Sequence, residues 1–299
     1  MKEQLLIQKV ANRFKLDIHA FQAVEDSHSS TVYQCTCSNG EIVFIKIPFS
    51  ALKFQRELEA YHILKNQIPI PTLLDSFPED EHCPGAFLLS ALKGQSLRQD
   101  ATPAVAFQVG EVHAQLHRIK PDSTGEFQAL QNVYPTWGDF VERQFYSFAE
   151  DAKVLLDPSI FEQSIEKFEQ MRQQLPPPDG PSFIHMDFRP GNIIVDGTQL
   201  TGIIDFESVR FGATEMDFTK IYRDFLSMDH KLYEAYQNGY NSIRPLIDLE
   251  AVLPFYQFTD AFNSIGWCQR RGVKQNAVFL QQNLEILRES LSSFGKGAK

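Results

Sequence analysis

Three side chains able to hold a metal or accept a proton lie close together in the second half of the chain. Asp187 and Asn192 stand within FIHMDFRPGNIIV, and Asp205 ends the run LTGIID that follows. An Asp can accept the proton of an attacking hydroxyl. An Asn amide oxygen and a second carboxylate are hard donors suited to Mg²⁺ bridging nucleotide phosphates. Phosphoryl transfer is the chemistry that uses such a set, because it is mostly positioning and charge stabilisation. The flanking elements fit that use. Phe183-Ile184 leads into the first Asp, Ile193-Ile194-Val195 follows the Asn, and Leu200 to Ile204 delivers the second Asp after a turn at Asp196-Gly197. Short β-branched runs joined by a Gly-containing turn predict a hairpin, with Asp187 and Asn192 in the loop before it and Asp205 at its far end. A polar loop beside an ordinary hairpin is the plainer reading.

The letters H-M-D-F-R-P-G-N and then D-F-E correspond to the protein-kinase pattern H-R-D-x-x-x-x-N followed by D-F-G. FIHMDFRPGNIIV with IIDFE more closely resembles the aminoglycoside phosphotransferase and choline kinase superfamily, small-molecule kinases with a protein-kinase-like fold. Their usual loop is H-G-D-x-x-x-x-N, followed by I-D-W-E or I-D-F-E. Met186 stands where Gly is usual, which restricts the backbone angles open to the loop. Gly212 to Asp217 (GATEMD) is similar to the family's G-D-P-x-x-D. The resemblance implies that Asp187 is the base or hydroxyl-orienting group and that Asn192 and Asp205 hold Mg²⁺. It also implies that Asp217 braces the loop through hydrogen bonds without being a catalyst. Glu207 shares the D-F-E position and a second metal is one role for it. Arg189 either touches a phosphate or pairs with a carboxylate.

Composition sets the class. The chain has 299 residues, 43% hydrophobic and 22% charged, ordinary for a globular protein and enough for two lobes. Lys+Arg 28 against Asp+Glu 38 gives −10, the wrong sign for a nucleic-acid partner. No apolar run approaches a membrane span, and the N-terminal MKEQLLIQKVANRF mixes charges into helical spacing, unlike a signal peptide. The expectation is a cytoplasmic protein with no membrane partner. Cys35, Cys37, Cys83 and Cys268 are too scattered for a zinc site or a disulfide framework.

Upstream, residues 1 to 14 read as an amphipathic helix and the pattern then turns to strands, with Ser38-Asn39-Gly40 as a hairpin turn. The loop before Thr31 lies where kinases cover phosphates. It has no Gly but carries Ser27, Ser29 and Ser30, whose hydroxyls can donate to phosphate; a plain hairpin turn is the other reading. Lys46 is a single charge inside an apolar strand, V-F-I-K, like the kinase V-A-I-K. The helix Phe54 to Leu64 resembles the one whose Glu pairs with that Lys, and the family spacing selects Glu57 over Glu59. Ala86 to Leu92 resembles the hinge strand, where backbone groups of Ser90 to Leu92 meet the purine edge.

Ala104 to Ile119 is a helix with an apolar stripe. His113 and His117 on it are four apart, but without H-E-x-x-H they read as structural. Two further helical segments fill residues 134 to 175, and Leu175 to Pro181 is a rigid Pro-rich linker. After Asp217 the chain reads as helical, and Asp260, Asn263 and Trp267 share one helix face. With Glu215 near the hairpin, Asp260 and Trp267 suit an ammonium-bearing acceptor; Trp267 as core and Asp260 as a solvated charge is the alternative.

The expectation is therefore an α+β, two-lobed protein-kinase-like fold. Residues 1–92 form a small antiparallel-sheet lobe and residues 93–299 a larger, mainly helical one, with ATP or GTP between them. The implied activity is transfer of the γ-phosphate to a hydroxyl of a small molecule. A protein kinase would need an activation segment and A-P-E, and the span from Asp205 to Asp217 has room for neither. The rival from another class is a nucleotide-binding module without catalysis, which Met186 and the Gly-free loop favour.

Overall fold

The structure, a computed structural model, describes residues 2–24, 30–81, 83–122, 125 and 127–294. Its first part is built by alternation. Strands β1 (Ile18–Ala23), β2 (Ser30–Cys37) and β3 (Ile42–Pro48) form a meander, and Gly40 turns β2 into β3 at φ 83°. Helix α2 (Ala51–Leu64) follows, then β4 (Leu73–Phe77) and β5 (Ala86–Ser90), giving an antiparallel sheet in the order β1-β2-β3-β5-β4. Successive side chains of a strand point to opposite faces. Val43, Ile45 and Ile47 therefore pack under helix α1 (Lys2–Arg13), against its Ile7, Val10 and Ala11. Phe44 and Lys46 face the other way, toward α2 and the rest of the chain.

That second face joins the main core. Ser50 caps α2 by accepting the Lys53 N–H, and the buried stripe of the helix carries Phe54, Glu57, Tyr61 and Leu64. Phe54 stacks on Phe87 of β5 at 4.6 Å, and Tyr61 meets Phe206, just past Asp205, edge-on at 5.7 Å. One apolar core thus runs from α2 into the helical part.

The remainder begins with β6 (Gln95–Ser96) and helices α3 (Pro103–Arg118), α4 (Trp137–Leu155) and α5 (Pro158–Arg172). Strands β7 (Ser182–Ile184), β8 (Ile193–Asp196), β9 (Gln199–Ile203) and β10 (Arg210–Gly212) come next, then α6 (Glu215–Asp224), α7 (His230–Asn241), α8 (Leu249–Arg271) and α9 (Ala277–Phe294). The expected hairpin is β8–β9, turned by Gly197 at φ 59°. Two pairings go beyond the sequence reading: β6 adds a third strand to the hairpin, and β10 pairs with β7. Strands of two or three residues leave no alternation to detect. The hinge strand ends at Ser90 and not at Leu92.

Helices α3 and α7 cross where glycines allow it. A Cβ on Gly110 would lie 2.2 Å from the Tyr236 carbonyl oxygen, and one on Gly239 would lie 2.0 Å from that of Phe107. This close approach aligns His113 and His117 of α3 with Tyr236 and Tyr240 of α7, beneath the loop that carries Asp187.

Candidate active site

Asp217, near the start of α6, organises the loop. Its Oδ2 accepts the His185 N–H at 2.5 Å and its Oδ1 the Met186 N–H at 2.6 Å. His117 Nε2 lies 3.3 Å and His113 Nε2 3.6 Å from Oδ2. The opposite ring nitrogens meet Tyr240 and Tyr236 hydroxyls at 2.8 and 2.6 Å. Burial, then His117, lowers the His113 pKa to about 3, so that ring is neutral. Burial opposes ionisation of Asp217, but hydrogen bonds from both histidines hold its carboxyl far below the usual range. Met186 takes φ 68°, the left-handed region where the family pattern has Gly.

Past this brace the chain reaches Asp187. Asn192 donates Nδ2 to both the Asp187 carbonyl and its Oδ2 at 2.9 Å. The Asn192 carbonyl accepts the Ile204 N–H at 3.0 Å, and His185 Nε2 lies 3.0 Å from the Ile204 carbonyl, which brings Asp205 alongside. Arg189 Nε reaches Asp187 Oδ2 at 3.0 Å and Lys220 Nζ reaches Oδ1 at 2.5 Å. Burial would raise the Asp187 pKa, but Lys220 and Arg189 outweigh it and hold it at about 2. Of the two readings of Arg189, the structure shows the carboxylate pair.

Facing this loop, Lys46 on β3 is buried and donates to Glu57 Oε1 at 2.9 Å and to Asp205 Oδ1 at 2.6 Å. Burial opposes its charge; Asp205, Glu57 and Glu207 overcome that and raise its pKa. Glu59, on another side of α2, accepts the N–H groups of Ala129 and Leu130 instead. Glu207 lies 3.9 Å from Lys46 and pairs with Lys53 at 2.7 Å, while its Oε2 is buried without a hydrogen-bond partner.

The donor chemistry around Asp205 fits Mg²⁺. Asn192 spends its amide nitrogen on Asp187, which turns its oxygen elsewhere. Asp205 has one oxygen beyond the Lys46 bond, and the orphaned Glu207 oxygen adds a third hard donor. Burial pushes the Glu57 carboxyl up to about 7 and raises that of Glu207, and a cation beside them would favour their ionised forms.

Other expected residues are distributed unevenly. Ser29 lies outside the described residues. Ser30 is not in a loop: it opens β2 opposite Pro48 and is buried. Ser90 donates its N–H to the Thr72 carbonyl and its Oγ accepts the Thr72 N–H, so its backbone donor is used within the sheet. Leu92 stands on Gly202 of β9, where an added Cβ would come within 2.5 Å of the leucine.

A cleft of about 1,040 Å³ opens in front of Asp187, Asp205 and Glu207, and Trp267 is in its wall. Two acceptor assignments need correction. Asp260 is paired with Arg223 at 2.8 Å, so its charge is already met. Glu215 is buried, accepts the Asp179 N–H at 2.9 Å and borders a different cavity. Both carboxylates follow from helix phase, but phase does not say what stands opposite. Two cations escaped the sequence reading, Lys220 on Asp187 and Lys53 on Glu207. Lys220 falls one turn after Asp217, which is the only signal available, and a surface lysine has the same spacing.

A search of curated protein sequences finds no match to the chain. Among solved structures the chain is similar to the GDP and kanamycin complex of APH(2″)-IIia, with 15% identity over 96% of this chain and 98% of that one and a TM-score of 0.76. It is similar to the spectinomycin phosphotransferase APH(9)-Ia with ADP and spectinomycin, at 18% identity, 96% and 93% coverage and a TM-score of 0.67. It also resembles the macrolide 2′-phosphotransferase MphH from Brachybacterium faecium, at 15% identity, 95% and 98% coverage and a TM-score of 0.68. These likenesses give the α+β, two-lobed kinase-like fold. The model of the phosphotransferase enzyme family matches residues 20–255, which hold Lys46, Glu57, Asp187, Asn192, Asp205 and Asp217, and the chain belongs to that family.

Proposed function

We propose that this phosphotransferase moves the γ-phosphate of ATP or GTP to a hydroxyl of a small molecule, in the cleft between residues 1–92 and 93–299. One observation carries the reading: Asp187 and Asp205 line a single open cleft, with Asn192 bonded to Asp187 and the buried Lys46–Glu57 pair bonded to Asp205 behind it. The GDP and ADP complexes of similar structures support a nucleotide donor.

In this reading Glu57 fixes Lys46, and Lys46 neutralises phosphate oxygens. Asn192, Asp205 and Glu207 hold Mg²⁺, which when bound offsets the charge of the transferring phosphates. Leu92 packs beneath the base, and the backbone of Ser90 to Leu92 meets the purine edge, with Ser90 offering only its carbonyl because its N–H is held by Thr72. Asp187, with a pKa of about 2, is a weak proton acceptor. Its work is to receive the hydrogen bond of the incoming hydroxyl and aim its oxygen, with proton transfer late. A loose phosphoryl-transfer transition state tolerates that order. Lys220 and Arg189 keep Asp187 ionised throughout.

The acceptor faces a wall with six carboxylates, among them Glu285 and Glu289 of α9, and four cations. Arg189, Lys220 and Arg223 are paired, as are Asp187, Asp205, Glu207 and Asp224, which leaves Glu285 and Glu289 against Lys274. That balance supports a cation-bearing alcohol, met by Glu285 and Glu289 in place of Glu215 and Asp260. The setting is the cytoplasm, where nucleoside triphosphates are held; no helix among the described residues is long and apolar enough to cross a membrane.

The test is a screen of hydroxyl-bearing metabolites and aminocyclitol antibiotics for ADP or GDP release, beside thermal-shift titrations with Mg·ATP and Mg·GTP. Asp205→Ala is expected to weaken Mg²⁺-dependent nucleotide binding. Nucleotide binding that ignores Mg²⁺ in the wild type, or the same Mg²⁺ dependence in the variant, overturns the assignment.

A further inference from the structure

A second cavity, of about 480 Å³, lies away from the cleft and shares no wall residue with it. The start of α4, the end of α5, the linker through Pro176 to Pro178, the first residue of α6 and the start of α8 enclose it. Its wall is apolar and aromatic, with Trp137, Phe168, Phe255 and Tyr256. Its size is that of an ordinary small-molecule site.

Into this lining the fold sets one carboxylate. Glu215 is 97% buried, since its relative exposure is 3%. Its Oε1 accepts the Asp179 N–H, but its Oε2 is buried with no hydrogen-bond partner. The Tyr256 hydroxyl, which accepts the Trp137 indole N–H at 3.1 Å, lines the same cavity as Glu215 and is pushed toward higher pKa by burial and then by that carboxylate. Arg172, the only cation of this wall among the described residues, is committed to Glu142 at 2.9 Å and Glu169 at 2.8 Å. An orphaned carboxylate oxygen against aromatic rings is costly as it stands. A donor that also carries positive charge removes the cost, and the rings can hold both its apolar body and its charge.

We propose that this cavity is a second ligand site, for a small ammonium-bearing molecule with an aromatic or apolar body, seated on Glu215. The site is independent of the kinase reading. Its position gives it a route to the loop all the same: Glu215 begins the helix that carries Asp217, which holds the His185 and Met186 N–H groups, and Lys220, which holds Asp187.

Phenethylamine, as its ammonium at pH 7, is the probe, and 2-phenylethanol is its neutral counterpart. Trp137 and Trp267 are the two tryptophans of the chain, so a Trp267→Phe background makes emission report on the cavity alone and not on the cleft. The expected result is a saturable change in emission with phenethylamine. Binding should be about tenfold or more weaker with 2-phenylethanol, and equally weakened for the amine by Glu215→Gln. The glutamine can still accept the Asp179 N–H, and thermal melts verify that the variant folds. Val252→Phe fills part of the apolar wall from α8 and is expected to abolish the response. A response that never saturates, equal affinity for amine and alcohol, or wild-type binding in either variant overturns the proposal.

Discussion

Asp217 and Asp187 serve one loop, yet they are held in opposite ways. Asp217 is fully buried and is held by two backbone N–H groups and by histidines that the α3–α7 crossing fixes in place. Asp187 opens on the cleft, its side chain 23% exposed, and its charge is met by the long side chains of Lys220 and Arg189. A carboxylate bonded to backbone has partners that cannot leave without the fold changing. One held by lysine and arginine can exchange them for substrate as a ligand enters. The same residue type thus serves architecture in one place and chemistry in the other.

Neutralising each acid in turn separates the two roles. Asp187→Asn should lower kcat by about 10²–10⁴, or about 3–5 kcal/mol in the barrier, with little change in nucleotide affinity. Lys220 does not become an isolated charge, because Asp260 also acts on it. Turnover near wild type would remove Asp187 from the chemistry. Asp217→Ala leaves two buried backbone donors unmet and should cost about 2–4 kcal/mol of folding stability, read by urea denaturation. If Asp217→Ala is as stable as wild type and only inactive, the two acids are not divided as described.

The fold class is legible in the sequence because its signals are local. β-branched runs around Asp196-Gly197 mark the hairpin, and the Pro-rich linker marks the entry to the loop. The Lys46–Glu57 pair is legible through the family resemblance, since the V-F-I-K setting singles out Lys46 and the family's helix spacing selects Glu57 over Glu59. What spacing cannot supply is the partner across a gap. Glu215 and Lys220 share one short helix and a similar polarity pattern, but one turns to Asp179 and the other to Asp187. Asp260 shares a face with Trp267 as the heptad-like spacing implies, and only the fold reveals Arg223 between it and the cleft. The short strands β6, β7 and β10 are likewise set by tertiary pairing and not by their own residues.

Acid separates the two regions without any change at the cleft. His113 is buried neutral, with its pKa lowered to about 3 by burial and His117. The unfolded chain takes up this proton near pH 6.5 and the folded chain does not, so stability present above 6.5 is lost as pH falls. By pH 5 the loss is about 2 kcal/mol for this one ring, at about 1.4 per unit. His113→Gln, which cannot take the proton, should flatten the fall between pH 7 and 5. Asp187, depressed to about 2, contributes its own loss only below about pH 4. Denaturation curves at pH 7, 5 and 3.5 distinguish the two windows. A His113→Gln variant whose stability falls between pH 7 and 5 as steeply as the wild type would mean that this ring is already charged in the fold.

The smallest expected effect bears on the residue that joins the two regions. Met186 holds φ 68° while its N–H is bonded to Asp217, and its side chain is partly buried against the core. The left-handed conformation costs a non-glycine residue about 1–2 kcal/mol. Glycine removes that strain but adds about 0.5–1 kcal/mol of unfolded-state entropy and gives up the methionine's packing. The terms nearly cancel, so Met186→Gly should stay within about 1 kcal/mol of wild type and keep its turnover. Met186→Val, β-branched at the same φ, cannot relax this way and should lose more than about 2 kcal/mol. If the Asp217 bond sets the loop, glycine is tolerated and valine is not. If the methionine side chain sets it, both substitutions unfold the loop, and a Met186→Gly loss as large as that of valine would show it.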